Sequence, residues 1–178
     1  MGVEHAFRRA VALAEEALEA GDEPFGSVLL DTEGRVLAED RNRIGSGDAT
    51  RHPEFALARW AARHLRPDAR AAATVVTSGE HCPMCAAAHA WVGLGPIHYV
   101  HSSAQLAGWL AEFGVAPPPV RTLPIADVAP GIGVNGPVDH LVPAMRELHR
   151  RCHQDRPRSS GGPQGEVAGP TVTSTRPQ

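Results

Sequence analysis

The chain has 178 residues, 42% of them hydrophobic, with a net charge of −3, so one domain with a sizeable core is expected and no metal is needed to rescue it. Its 17 basic residues include no Lys and lie scattered among 20 acids, which disfavours a long polynucleotide partner whose phosphates want a basic stripe. Three Cys are too few for a disulfide framework, no apolar run reaches membrane-spanning length, and Glu4, Arg8, Arg9, Glu15 and Glu16 stand where a signal peptide is apolar; a cytoplasmic protein is expected.

Val3, Phe7, Val11, Ala14 and Leu18 recur at helical spacing, and Gly21 ends that helix. Residues 25–30 and 36–38 read as two strands joined by the turn composition Asp31-Thr32-Glu33-Gly34. A polar loop from Asn42 to Thr50 leads to an amphipathic helix from His52 to about Leu65, closed by Pro67. Residues 74–77 form a short β-branched strand, 82–92 an Ala-rich helix closed by Gly93 and Gly95, and 97–100 another strand. A helix over 104–113, a weak edge strand over 120–125 interrupted by Pro124, and a last helix over 138–153 complete the pattern. Strands alternating with helices imply a layered α/β domain over residues 1–153. From 154 to 178 the composition turns to Pro, Gly, Ser and Thr, and a disordered tail is expected there.

The chemistry concentrates in two short segments, His52-Pro53-Glu54 and Cys82-Pro83-Met84-Cys85. They supply one imidazole, two thiolates and a carboxylate. Three protein ligands on zinc leave a fourth position for water, whose pKa then falls to about 7. Cys-x-x-Cys alone also serves redox sites and structural zinc. The upstream His-x-Glu, with a helix after each segment and a strand between them, singles out a zinc deaminase pattern. Helix N-termini favour thiolates, and residues three apart share a face, so both sulfurs can meet one ion.

These segments resemble the cytidine deaminase-like superfamily, and within it the nucleobase branch that includes guanine deaminases. The match is sharpest between Pro24 and Tyr99. The resemblance implies a three-layer α/β/α sandwich around a mixed five-stranded sheet. It also implies one Zn2+ per subunit held by His52, Cys82 and Cys85, with Glu54 as the catalytic proton shuttle. Pro24-Phe25-Gly26-Ser27-Val28 resembles the family's Pro-Phe-Gly-Ala-Val strand, Asn42 matches an Asn that bonds the substrate ring, and Trp91 falls where guanine deaminases place a Trp beside the base. Phe25 and Trp91 read equally as core, and a turn residue is the lesser reading of Asn42. A homodimer and a small heterocyclic base as partner follow from the same resemblance.

Two positions depart from the family. Pro53 replaces the usual Ala and removes a backbone N–H that relatives can offer a substrate; His81 replaces the usual Pro before the first Cys. His81 reads either as a substrate contact or as a satisfied polar residue, His89 as pocket or core, Glu80 as a supporting or capping group, and Cys152 as a bystander. The expected activity is hydrolytic deamination of a free guanine-like purine, aminopyrimidine or aminotriazine. A tRNA adenosine deaminase and a non-catalytic zinc protein, its shell closed by His81, His89 or Cys152, are the alternatives.

Overall fold

The computed structural model describes residues 2–155. Helix α1 (Val3–Glu19) buries Ala6, Phe7, Ala10, Leu13, Ala14, Ala17 and Leu18, one apolar stripe at three- and four-residue spacing. Strands β1 (Gly26–Leu30) and β2 (Val36–Arg41) form an antiparallel hairpin. Helices α2 (Pro53–His64) and α3 (Pro67–Ala72) lead to strand β3 (Thr74–Gly79), then helix α4 (Pro83–Val92) and strand β4 (Ile97–His101). Helices α5 (Ser103–Glu112) and α6 (Ile125–Val128), strand β5 (Val134–Asn135) and helix α7 (Val142–Arg150) follow. A wider helical turn, Arg151–Asp155, continues α7.

The sheet order is β2-β1-β3-β4-β5, with β1 antiparallel to both neighbours and β3, β4 and β5 parallel. This is the mixed five-stranded sheet expected, with helices on both faces. On one face Val28, Leu30, Val76 and Val100 pack under α1, α5 and α7 through Phe7, Leu13, Trp109, Met145 and Leu148. On the other, Leu29 and Val75 pack against Leu57, Ala58 and Ala61 of α2, while Ile97 and Tyr99 pack against Ala86 and Ile125. Alternate residues of each strand thus feed two separate cores. At Gly26 an added Cβ would stand 2.5 Å from the Ala10 carbonyl, so only glycine lets α1 lie directly on the start of β1.

Three expectations are corrected. The fifth strand is Val134–Asn135, placed by the Ile97 N–H donating to Gly133, whereas residues 120–124 are irregular and Pro124 precedes α6. Pro67 opens a further helix as well as closing off α2, because proline suits a first helical position. The last helix begins at Val142, four residues later than its apolar pattern. Gln154 and Asp155 complete its final turn, and the rest of the expected tail lies outside the described residues. Among the described residues no helix is long and apolar enough to cross a membrane.

Candidate metal centre and active site

Two helix starts build the centre. His52 caps α2 with Pro53 at its first position, and Cys82 caps α4 with Pro83 in the same place. Proline's fixed φ suits that position, and its missing N–H leaves nothing unpaired there. Cys85 follows one turn after Cys82 on the same face. His52 Nδ1 lies 3.6 Å from Cys82 Sγ and 3.7 Å from Cys85 Sγ, and the three ligand atoms all lie within 4.8 Å of one another. Zn–S bonds of ~2.3 Å and Zn–N bonds of ~2.0 Å at tetrahedral angles separate donors by roughly 3.6 Å. The trio fits zinc as it stands. Among the described residues it is the one such group, and it has three members where a closed structural site has four.

Their electrostatics ask for a cation. Hydrogen bonds from Cys85 and His52 hold the Cys82 thiol down at about 4 despite its burial. The bond to Cys82 lifts His52 to about 9. Sharing a proton with Cys82, together with burial, pushes Cys85 well above the ordinary thiol range. Two adjacent sulfurs do not both ionise with one imidazolium as their only positive neighbour; a divalent ion lets both deprotonate.

Glu54, in the first turn of α2, is 6% exposed. Ser27 Oγ and Thr77 Oγ1, 2.8 Å apart across the β1–β3 pair, both donate to Glu54 Oε1, at 3.3 and 3.1 Å. Burial raises its carboxyl above the usual range, the direction a proton carrier needs near neutral pH. Ser27 and Thr77 are both fully buried, on neighbouring strands.

Asn42 is fully buried. Its N–H donates to the Phe25 carbonyl (2.9 Å) and its Oδ1 accepts the Ile44 N–H (3.0 Å), which leaves Nδ2 as the donor without a partner. Asp22 fixes this loop: its carboxylate accepts the Gly45 N–H and an Arg41 N–H, each at 2.7 Å, and Arg41 also donates to the Asn42 carbonyl. Phe25 is half-buried with its ring against His101 and His149. Pro53 is buried at the start of α2.

The remaining candidates are not members of the trio. His81 is fully buried, edge-on to His89 at 5.3 Å, and is no member of the ligand group. His89 is a core residue whose Nε2 bonds the Gly95 carbonyl at 2.8 Å. Trp91 is 90% exposed in the last turn of α4, the opposite end from the cysteines. Glu80 accepts the first N–H groups of two helices, Ser103 of α5 and Ile125 of α6, each at 2.8 Å, which is a double cap. A groove of about 220 Å³ adjoins His52, with Thr50, Arg51, Phe55 and Arg59 in its lining.

Residues 2–101 match the model of the cytidine and deoxycytidylate deaminase zinc-binding region, a range that contains the trio, Glu54, Asn42 and Phe25. The guanine deaminase of Bacillus subtilis (strain 168) is 35% identical over 117 residues, 64% of this chain and 74% of that protein. The tRNA-specific adenosine deaminase of Agrobacterium fabrum is 33% identical over 96 residues, 53% of this chain and 62% of that protein. A solved guanine deaminase from Nitrosomonas europaea superposes with a TM-score of 0.62 over 82% of this chain and 84% of its own, at 22% identity, a likeness of fold.

Proposed function

This chain belongs to the cytidine and deoxycytidylate deaminase zinc-binding family, and on that premise we propose that it hydrolytically deaminates a free, amino-substituted heterocycle such as a guanine-like purine, releasing ammonia. The observation that carries the reading is Glu54, buried two residues from His52, with one oxygen held by Ser27 and Thr77. His52, Cys82 and Cys85 would hold the zinc, which when bound acidifies water and polarises its surroundings.

The chain's own residues then manage protons and orientation. Water adds to the amine-bearing ring carbon; Glu54 takes the water's proton and passes it to the ring nitrogen. Glu54 next transfers the remaining hydroxyl proton to the departing amine, which leaves as ammonia while the ring carbon becomes a carbonyl. Asn42 Nδ2 donates to an acceptor on the ring, and the Asp22–Arg41 clamp keeps that donor in place. Pro53 offers no N–H at the start of α2, so the ring is held from the Asn42 side.

The net charge of −3 favours a free base over a polynucleotide. Three free cysteines suit a reducing compartment, and the proposal includes a cytoplasmic homodimer. The test is ammonia release by zinc-loaded protein from free purines, pyrimidines, triazines, nucleosides and tRNA. Release from one class of free ring, lowered about 10²–10⁴-fold by Glu54→Ala, is expected. Release from tRNA alone would replace this reading with the tRNA one.

A further inference from the structure

Beside Phe25, and outside both the ligand trio and the Glu54 cradle, buried nitrogens lie without hydrogen-bond partners: Asn42 Nδ2, His101 Nε2 and both ring nitrogens of His149. The two histidines are each 1% exposed. Buried polar atoms are rarely left unpaired, since each costs about 1–3 kcal/mol, and such an atom calls for an explanation.

The placement of the pair is specific. His101 ends β4 opposite Gly79, the last residue of β3 and three residues before Cys82. Its carbonyl accepts the Glu80 N–H at 2.8 Å, which fixes it to the turn that leads into the cysteines. His149, from α7, meets it nearly at right angles with ring centroids 5.2 Å apart. The Phe25 ring lies 6.2 Å from His101 and 5.1 Å from His149, and Trp109 backs both. A Cβ on Gly79 would come within 2.8 Å of His101 Nε2 and 3.0 Å of the Phe25 ring, so the glycine keeps room for both. The Phe25 carbonyl in turn carries the Asn42 N–H. Phe25 is therefore the junction between the Asn42 donor and the imidazole pair.

The chemistry of the pair defines a ligand edge. His101 Nδ1 faces the Ser102 carbonyl at 3.4 Å; a proton placed there leaves Nε2 as an acceptor. Burial keeps both imidazoles neutral at pH 7, with His101 held at about 4 and His149 well below its ordinary value. A matching ligand presents an N–H to His101 and an acceptor to Asn42 on one planar frame. Aminated oxopurines and oxopyrimidines do so.

We propose that His101 and His149, uncovered when the half-buried Phe25 ring turns, bind the substrate and select rings that carry an N–H on the edge away from the reacting amine. This rests on the function proposed above and narrows its substrate class. It is tested on the full chain, zinc-loaded, as the Glu54→Gln variant labelled with ¹⁵N-histidine. Guanine, 9-methylguanine, cytosine and melamine are titrated in, with exposed His64 as the reference signal. Guanine or another N–H ring is expected to shift the ring-nitrogen signals of His101 and His149, and the methylated ring to bind about tenfold more weakly. His101→Leu and His149→Phe should each weaken binding to a similar degree while zinc content stays the same. Binding and turnover with both histidine signals unmoved would overturn the inference and leave the function standing. If no ring binds and the unmutated chain deaminates none, function and inference fall together. Should a variant fail to fold, the signals of the unmutated histidines decide.

Discussion

Glu54 depends on two hydroxyls that sit on different strands. Ser27 and Thr77 bond the same carboxylate oxygen, so they fix the orientation of Glu54. Replacing Thr77 by Val keeps the shape and removes one donor. We expect kcat to fall roughly 10-fold, with zinc content unchanged, since one hydrogen bond to a charged group is worth about 1.5–3 kcal/mol. Steady-state rates beside metal analysis check this. Asn42 is a second residue whose environment dictates its use. With Oδ1 held by Ile44, it presents a donor, where its type alone allows either role. Asp22→Ala removes the clamp behind it and should raise KM more than it lowers kcat, measured on the preferred free base. The candidate zinc ligands His52, Cys82 and Cys85 were legible because their chemistry is carried by spacing within short segments. Ser27, Thr77 and Asp22 were not, because their partners lie 19 or more residues away and only the fold brings them together.

At the scale of elements, Glu80 joins three segments, two through its side chain and one through its backbone. Its carboxylate closes the starts of α5 and α6 while its own N–H bonds the end of β4. Glu80→Ala leaves two N–H groups without their acceptor. A loss of about 2–4 kcal/mol is expected, read as a lower urea midpoint with an unchanged slope. Elements with strong periodicity, such as α1 with its apolar stripe, were legible to within a residue or two. Strand β5 was not, because two residues show no alternation and their place is set by pairing with Ile97 and His98. The run from 120 to 125 looked more strand-like, yet its one proline, Pro124, removes a ladder donor and is followed by α6. Pro67 shows the same ambiguity from the other side, since a proline that cannot continue one helix is well placed to begin the next.

At the scale of the whole molecule, buried neutral histidines make stability fall in mild acid. His101 is held at about 4 by burial against an ordinary value near 6.5, so the unfolded chain binds its proton first as pH drops. The stabilisation is complete above about pH 6.5 and is lost between there and pH 4, on the order of 3 kcal/mol for this residue. Thermal melts from pH 7.5 to 4.5 should show that decline, and His101→Leu should flatten it. The two proline-locked helix starts bear on how the molecule handles its ion. Backbone angles at Pro53 and Pro83 are set by covalent rings, and the helices behind them are anchored in the sheet's cores. The packing of the two helix starts is thus what brings the three donors together. Chelation should switch the protein off while its circular dichroism stays native, and added zinc should restore activity without a refolding lag. The molecule would then behave as a reusable socket, whose occupancy follows the metal supply of its surroundings.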